Sequence, residues 1–319
     1  MNPDPELDDV FSDDLPPDHR SGEVAVVGVP NVGKSTLINR LLAQKIAIVS
    51  PKPQTTRRRQ LGILTNEHGQ ILLVDTPGLH APQHRLGEYM VQVAETAFRE
   101  ADAILVLVDA SEAPARRDQY LADTVARLRG DTPVILLLNK GDLLKPEQRE
   151  AKIEAYKELV QTDHVLVISA LKGDNVDALV ELLFSLMPQG PRYYPVDQVS
   201  DLNLRFVAAE VIREKIMMAT DDELPYSVAV EIETYKERSE ALHYVSAIIY
   251  VERDGQKGIL IGKNGAMIKQ IGAAAREELE QLLEVKVFLE LHVKVLKDWR
   301  SDENLLRRLG YRLPRDEKR

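Results

Sequence analysis

Residues 23–35 have the sequence EVAVVGVPNVGKS, in which a short apolar run leads into a glycine-bounded loop. The run Glu23–Gly28 predicts a buried strand, and residues 28–35 match the pattern G-x-x-x-x-G-K-[ST] directly before a helical pattern. Backbone N–H groups around such glycines bind phosphate, helped by the positive end of the following helix dipole. We therefore predict a phosphate-binding loop in which Lys34 contacts the β- and γ-phosphates and the Ser35 hydroxyl ligates Mg²⁺. The alternative, a chance glycine turn that carries a lysine, does not account for the strand before it and the helix after it.

More short apolar runs follow, each ended by turn residues and separated from the next by helical periodicity. Strands are predicted at 71–74, 104–108, 134–138 and 165–168, and helices at 34–42, 86–101, 115–129, 146–160 and 176–186. Strands that alternate with helices form a mostly parallel sheet that is covered on both faces. The N-terminal part is therefore predicted to be an α/β domain of the P-loop NTPase type with a doubly wound sheet.

This alternation stops at residues 187–195, MPQGPRYYP, where three prolines and a glycine predict a linker. Beyond it the helical and alternating patterns follow the order α-β-β-α-α-β, which predicts a smaller α+β domain. The predicted segments are a disordered acidic tail at 1–20, a nucleotide-binding domain at 21–190, a linker at 191–201, the α+β domain at 202–300 and a basic C-terminal helix or tail at 301–319.

Two segments after the phosphate loop are candidates for sensing the γ-phosphate. Asp75-Thr-Pro-Gly78 follows a predicted strand, so Asp75 can hold Mg²⁺ through water and the Gly78 N–H can contact the γ-phosphate. The polar loop at 51–59, PKPQTTRRR, contains a threonine that could ligate Mg²⁺ only while the γ-phosphate is present. Thr55 and Thr56 are both candidates for that ligand, and Thr56 is preferred.

Asn139-Lys-Gly-Asp142 also follows a predicted strand. Guanine presents an N1–H and an exocyclic NH₂ side by side, and a single carboxylate, that of Asp142, can accept both hydrogen bonds. Adenine lacks this donor pair and would leave the carboxylate unpaired, at a cost of about 1–3 kcal/mol or more. The stem of Lys140 can lie over the ring, and Asn139 can connect neighbouring loops. The tetrapeptide therefore predicts GTP and GDP as ligands, with a polar surface turn as the alternative.

Ser169-Ala-Leu171, after the last strand predicted in this domain, offers backbone N–H groups to the guanine carbonyl. The predicted metal ligands are Ser35, Thr56 and Asp75. The predicted nucleotide-binding residues are Gly28, Pro30, Asn31, Val32, Gly33, Lys34, Ser35, Thr36, Asp75, Gly78, Asn139, Lys140, Asp142, Ser169, Ala170 and Leu171.

Hydrolysis is predicted to involve Lys34, Asn31, Thr56 and Gly78. In Ras-like GTPases the residue after the D-x-x-G glycine is a glutamine that positions the attacking water, whereas here it is Leu79. An aliphatic side chain cannot orient water, so unassisted hydrolysis should be slow. We therefore hypothesise that K⁺ held near Asn31 takes the place that an arginine finger would occupy at the phosphates.

In the second domain, Gly262-Lys-Asn-Gly265 lies between two helical patterns. Two glycines let a backbone approach phosphates closely, and residues 257–276 contain four bases and no acids. The predicted RNA-binding residues are Gly258, Ile261, Gly262, Lys263, Asn264, Gly265 and Lys269, with a groove for bases floored by Ile259, Leu260, Ile261, Ile268 and Ile271. The alternatives are a tight turn for the glycines and a core position for the apolar residues.

Composition excludes several classes of protein. The chain has no cysteine, which excludes disulfides and thiolate metal sites and is typical of a reducing compartment. The sequence contains no run of about 18 apolar residues, so it predicts no transmembrane helix. Its acidic N-terminus is unlike a signal peptide. The net charge of −10 argues against nucleic-acid binding by bulk charge, so any RNA contact must be local.

Taken together, the motifs resemble the Era family, bacterial GTPases with a C-terminal KH domain. The matching stretches are GVPNVGKS at 28–35, PQTTR at 53–57, DTPGLH at 75–80, NKGD at 139–142, IREKI at 212–216, IGKNG at 261–265 and KDWR at 297–300. The resemblance implies a type II KH domain, binding to the 3′ end of 16S rRNA, and a role in assembly and maturation of the 30S subunit. It also implies loose peripheral association with the inner membrane surface. The expected location is the cytoplasm, because the chain has no cysteine, and the expected state is a monomer.

Two alternatives remain at the level of function. The second domain could bind a protein partner in place of RNA. The chain could also be a passive RNA-binding module that uses GTP only for stability.

Overall fold

The computed structural model describes residues 15–47, 49–50, 52, 55–78, 84–221 and 223–312. The chain divides into two compact units. The first comprises residues up to 47, 56–81 and 90–201, and the second comprises 48–55, 82–89 and 202–319. Each unit has a hydrophobic core of its own. The domain boundaries proposed from the sequence stay a prediction, and most of the acidic tail lies outside the described residues.

The first unit is built on a six-stranded sheet with the order β2-β3-β1-β4-β5-β6. Its strands are β1 (Arg20–Gly28), β2 (Gln60–Asn66), β3 (Gly69–Asp75), β4 (Ala103–Asp109), β5 (Val134–Asn139) and β6 (His164–Val167). All neighbours pair in parallel except β2 and β3, which are antiparallel. The predicted α/β class with a mostly parallel sheet is therefore confirmed.

Among the described residues, four α-helices connect these strands and a fifth follows β6. They are α1 (Lys34–Leu41), α2 (Arg85–Glu100), α3 (Arg116–Leu128), α4 (Arg149–Leu159) and α5 (Val176–Leu186). Their apolar residues recur at helical spacing: in α5, Val176, Leu179, Leu183 and Phe184 are the buried positions. Each helix needs only one apolar stripe, which packs on the sheet, and helices on both faces together bury the strands.

Strand β2 is not among the strands expected from the sequence. Its sequence, QLGILTN, carries a glycine and ends in polar residues, so neither continuous apolarity nor alternation marks it. It lies at the end of the strand order and pairs with β3 from Gln60 opposite Asp75 to Asn66 opposite Gly69, with one isolated bridge from Gly62 to Ser200 on its other side. An edge strand can be half polar because one side of it faces away from the core.

The second unit contains a three-stranded sheet, β7-β8-β9, in which β7 and β8 are antiparallel and β8 and β9 are parallel. Its elements are α6 (Leu204–Ala219), α7 (Leu224–Ser227), β7 (Ala229–Ser239), β8 (Leu242–Val251), α8 (Asp254–Ile261), α9 (Ala266–Leu283), β9 (Lys286–Val295) and α10 (Glu303–Arg308). The predicted order α-β-β-α-α-β is observed, with the short α7 added. The core of this unit lies between the sheet and helices α6, α8 and α9.

The single tryptophan of the chain, Trp299, is fully buried in the second unit. Its indole N–H donates to the Ser227 carbonyl at 2.9 Å, and its ring stacks on Tyr311 with 6.0 Å between centroids. A buried indole with a satisfied N–H anchors the segment after β9 to the end of α7. Within the described ranges, no helix combines the length and apolarity needed to cross a membrane.

Candidate functional site

The carboxyl ends of β1, β3, β4, β5 and β6 meet at one edge of the parallel sheet. The predicted phosphate loop follows β1, and Asp75 is the last residue of β3. Asn139 ends β5, and the predicted guanine-contacting segment at 169–171 follows β6. Ligands of open α/β sheets bind at this edge. The fold therefore brings the sequence-predicted nucleotide residues together.

The phosphate loop turns through two residues with positive φ, Asn31 at 67° and Gly33 at 101°. Lys34 begins α1, and its Nζ lies inside the loop, 3.1 Å from the Gly28 carbonyl oxygen and 3.4 Å from that of Val29. Burial lowers the pKa of Lys34, although the Asp75 carboxylate opposes this shift. A buried ammonium in a ring of backbone groups at a helix N-terminus is suited to phosphate oxygens.

Three oxygens of predicted metal ligands converge behind this loop. Thr56 Oγ1 donates to Asp75 Oδ2 at 2.9 Å, Ser35 Oγ lies 3.3 Å from the same oxygen, and the two hydroxyl oxygens are 3.4 Å apart. Burial raises the pKa of Asp75, against the attraction of Lys34 and these hydrogen bonds. Its other oxygen, Oδ1, is buried and has no hydrogen-bond partner within the described part of the chain.

This donor set fits Mg²⁺, which prefers hard oxygen ligands. Oxygens at adjacent corners of its octahedron are about 3 Å apart, since each lies about 2.1 Å from the ion. The Ser35, Thr56 and Asp75 oxygens lie between 2.9 and 3.4 Å from one another, so all three could act on one ion, with Asp75 acting directly or through water. Among the described residues no group of three or more His, Cys, Asp or Glu side chains could hold a metal, so this mixed hydroxyl and carboxylate set is the candidate.

The two candidate threonines have different surroundings in the structure. Thr56 is 3 % exposed and its hydroxyl is in the oxygen cluster, whereas the Thr55 carbonyl accepts a hydrogen bond from the buried Arg213 of its own unit. Gly78 lies against the phosphate loop, because a Cβ at this position would be 3.1 Å from a ring carbon of Pro30. Leu79, the basis of the slow-hydrolysis prediction, lies outside the described residues.

Asn139 connects the phosphate loop to the segment after β6. Its Nδ2 donates to the Val32 carbonyl at 2.7 Å, and its Oδ1 accepts from the Ala170 N–H at 2.9 Å. The same Nδ2 would be 2.3 Å from a Cβ at Gly33, so only glycine fits there without displacement. Asn139 is 3 % exposed, and it fixes the distance between the phosphate end and the base end of the site.

Asp142 is oriented by a contact that the sequence reasoning missed. The Ser169 hydroxyl donates to Asp142 Oδ1 at 2.6 Å, while the Asp142 side chain stays exposed at the site edge. That amides of Ser169, Ala170 and Leu171 contact guanine stays a prediction, and two of these amides have partners within the protein. Ser169 N–H donates to the Asp174 carbonyl at 3.1 Å, and Ala170 N–H donates to Asn139. The turn after β6 therefore occupies the Ser169 amide, and the Asn139 side chain at the end of β5 occupies the Ala170 amide.

The remaining predicted nucleotide residues have distinct environments. Val32 is 1 % exposed and belongs to the core, so its carbonyl is its contribution to the site. Thr36 is half-buried in the first turn of α1, and Leu171 is 65 % exposed. Lys140 adopts a left-handed conformation with φ 62°, and its ammonium donates to Asp109 Oδ2 at 2.5 Å.

The glycine loop of the second unit joins α8 to α9. Three of its residues have positive φ: Gly262 at 70°, Asn264 at 54° and Gly265 at 77°. A Cβ at Gly262 would lie 2.8 Å from that of Met267, so the turn requires glycine at this position. Lys263 and Asn264 are exposed at the tip. The loop therefore presents backbone and a cation to solvent.

A groove lies beside this loop, between α9 and β9. Its lining residues are Ile268, Lys269, Gly272, Ala273, Arg276, Leu289 and Leu291. Two of them are exposed cations and four have apolar side chains, which suits a strand with charged phosphates and unstacked bases. Part of the groove prediction was wrong: Leu260 and Ile271 are 0 % and 1 % exposed, because their helical spacing directs them into the core.

Comparison with known proteins agrees with both halves of this description. Residues 23–140 match the family described as a 50S ribosome-binding GTPase, and residues 223–300 match the KH domain family. The structure is similar to that of a point variant of Aquifex aeolicus Era bound to GDP·AlF₄⁻, at 41% identity with a TM-score of 0.87. The match covers 92% of this chain and 100% of that one.

A second solved structure, Era in complex with MgGDPNP and nucleotides 1506–1542 of 16S ribosomal RNA, matches equally well. It has the same identity of 41%, the same TM-score of 0.87 and the same coverage of both chains. Identity at this level over nearly the whole chain, with a nucleotide edge and a KH fold both present, shows the family. The chain is a GTPase and belongs to the Era family.

Proposed function

We propose that this GTPase binds the 3′ end of 16S rRNA through its KH unit and acts in assembly and maturation of the 30S subunit. The observation that carries the proposal is the Gly262–Gly265 loop beside a groove with Lys269 and Arg276 at its edge. The relative at 41% identity was solved with MgGDPNP and a 16S rRNA fragment, which supports the same ligands for this chain.

Within the nucleotide site, each residue has a proposed task that follows from its place. Lys34 neutralises phosphate oxygens inside the loop, and Asp142 accepts from the guanine N1–H and NH₂. Ser35, Thr56 and Asp75 are the proposed oxygen ligands, directly or through water, of Mg²⁺. Bound there, Mg²⁺ would neutralise charge that develops on the β- and γ-phosphate oxygens. Thr56 is the ligand that links the loop at 51–59 to the presence of the γ-phosphate.

Hydrolysis is proposed to depend on K⁺, because the residue after Gly78 is leucine and cannot orient water. Two observations support a role for Asn31 in this proposal: the residue is exposed, and it has a φ of 67° at the turn of the phosphate loop. Turnover should therefore be faster in potassium than in sodium buffer, and Asn31→Ala should remove the difference. Equal rates in both buffers would reject this part of the proposal.

The RNA assignment is tested by binding of an oligonucleotide with the 3′-terminal 16S sequence, measured by fluorescence anisotropy at fixed salt. Gly262→Asp places a carboxylate in the loop, and Lys263→Ala removes the exposed cation without changing the backbone. Both should weaken binding. Gly130→Asp is the matched control, because this glycine has positive φ and a Cβ there meets nothing within 4 Å.

Unchanged RNA affinity in both loop variants would favour the alternative that this unit binds a protein. GTP turnover that persists in Lys34→Ala would contradict the assignment of the phosphate loop. If the two units act as a switch, RNA must change GTP affinity by the same free energy by which GTP changes RNA affinity, typically ~1–3 kcal/mol. Titration of each ligand in the presence of the other measures this coupling.

Location and assembly state complete the proposal. We propose a cytoplasmic monomer that contacts the inner membrane surface peripherally, and the family resemblance is the ground for the membrane contact. The absence of cysteine is consistent with a reducing compartment. Cell fractionation with and without high salt tests the membrane contact, and sedimentation of the purified chain tests the monomer.

A further inference from the structure

Asp109 lies at the nucleotide edge of the sheet but belongs to none of the motifs that predicted the site. It is the last residue of β4, whose sequence AILVLVD is otherwise apolar and fully buried. Asp109 pairs in register with Asn139, the last residue of β5. Lys140 follows Asn139 directly, so its backbone lies next to Asp109. A carboxylate at the carboxyl end of a central parallel strand is where a ligand-binding group is expected.

The two side chains form an ion pair with a short hydrogen bond. Lys140 Nζ donates to Asp109 Oδ2 at 2.5 Å, and the Asp109 side chain is 10 % exposed against 34 % for that of Lys140. The carboxylate is therefore the buried anchor and the lysine is the accessible partner. Without this ion pair Lys140 would sample many rotamers, because its ammonium group stands on a flexible stem of four carbons.

The anchor is itself held in place. Asp109 Oδ1 accepts from the Ser111 N–H at 3.0 Å and from the Ser111 hydroxyl at 2.5 Å. The Asp109 carbonyl accepts from the Tyr156 hydroxyl at 3.2 Å, and the Ala110 N–H donates to the Asn139 carbonyl at 2.9 Å. Burial by itself would raise the pKa of Asp109, but the hydrogen bonds from Lys140 and Ser111 lower it, so the group is charged at neutral pH.

We propose that Asp109 is a positioning residue for guanine-nucleotide binding, which holds the Lys140 ammonium so that the aliphatic stem of Lys140 is presented to the face of the purine ring. The proposal rests on the assignment of Lys140 to that face. It separates two tasks at the base end of the site. Asp142 recognises the donor pair on the guanine edge, whereas the Asp109–Lys140 pair acts on the ring face and does not depend on the exocyclic NH₂.

The separation gives a test that a merely structural role would not pass. GDP and IDP differ only in the exocyclic NH₂, so loss of the ring-face contact should weaken both equally. Asp109→Asn keeps an oxygen acceptor for Ser111 but removes the charge that binds Lys140. We expect about tenfold weaker binding of GDP and of IDP, equivalent to about 1.4 kcal/mol, with an unchanged GDP/IDP ratio.

The double variant Asp109→Asn with Lys140→Ala completes a cycle. If Asp109 acts through Lys140, the double variant should bind GDP no more weakly than Lys140→Ala alone. Asp163→Asn is the matched control, since Asp163 also pairs with a cation, Arg129, and accepts from the Val134 N–H at the opposite end of β5. This control should keep wild-type GDP affinity.

Isothermal titration with GDP and IDP measures all of these affinities, and thermal unfolding of each variant shows whether it is folded. Wild-type GDP affinity in a folded Asp109→Asn variant, a fully additive cycle, or a changed GDP/IDP ratio would each overturn the proposal. If Lys140→Ala alone has no effect on GDP binding, the assignment of Lys140 to the ring face fails instead, and the role of Asp109 fails with it.

Discussion

Gly33→Ala should damage the first unit more than an alanine at any open turn, and the structure gives the size of the effect. The added Cβ would lie 2.3 Å from Asn139 Nδ2, where ordinary contacts begin at 3.4 Å. The two groups must therefore separate by about 1 Å. Asn139 is bonded to the Val32 carbonyl at 2.7 Å and to the Ala170 N–H at 2.9 Å, so a shift of that size breaks both hydrogen bonds.

The cost has two parts. A side chain in the left-handed region costs roughly 1–2 kcal/mol, and two lost buried hydrogen bonds cost about 1–1.5 kcal/mol each. We expect a total loss of about 3–5 kcal/mol in the free energy of unfolding. Gly130→Ala is the matched control: its φ is 54°, a Cβ there meets nothing within 4 Å, and only the backbone cost of roughly 1–2 kcal/mol applies.

Urea denaturation followed by far-UV circular dichroism measures this difference, and Trp299 fluorescence assigns the transition of the second unit separately. Affinity for a fluorescent GDP analogue should fall at least tenfold in Gly33→Ala and stay unchanged in Gly130→Ala. Equal destabilisation of the two variants would refute the reasoning, because it would mean that Asn139 moves without loss of its hydrogen bonds.

Three further predictions address other contacts. Thr56→Ala should raise the Mg²⁺ concentration needed for half-maximal GTP turnover about tenfold or more, whereas Thr55→Ala should not; magnesium titration of turnover compares the two. Trp299→Phe removes the hydrogen bond to the Ser227 carbonyl and should destabilise the second unit by about 1–3 kcal/mol, measured as a shift of its urea midpoint followed by circular dichroism. Arg40→Met should speed GDP release, measured by stopped-flow displacement, because Arg40 donates to two carbonyls of the segment after β6; unchanged release would contradict that role.

Much of the fold could be predicted because its strongest patterns are local. Buried parallel strands such as β4 are short apolar runs, and the glycines of the phosphate loop mark the turn between β1 and α1. Strand β2 escaped prediction because an edge strand needs no continuous apolar run. The places of Leu260 and Ile271 were assigned wrongly because a groove and a core are both apolar, and only the packing separates them.

Site residues that are adjacent in sequence could be predicted as motifs, whereas contacts between residues distant in sequence could not. Asn139, Lys140 and Asp142 were found as a tetrapeptide, but the hydroxyl of Ser169 on Asp142 joins residues 27 positions apart. Asp109 could have been found by one further comparison. Like Asp75, it is an acid that ends an apolar strand of a parallel sheet, and such acids share one edge.

The central place of β1 has a consequence for how the protein is made. This strand pairs with β3 on one side and β4 on the other. Residues at its start and just before it are bonded to residues far along the chain: Ser21 N–H donates to the Pro188 carbonyl, and Gly190 N–H donates to the His19 carbonyl. At 5–20 residues per second, the ribosome needs roughly 10–30 s to travel from residue 28 to residue 190. Limited proteolysis of stalled nascent chains would show whether β1 stays accessible during that interval. Throughout that time the contacts of β1 with residues 188 and 190 cannot form, so the strand that leads into the phosphate loop is among the first parts to be synthesised and among the last to gain all of its contacts.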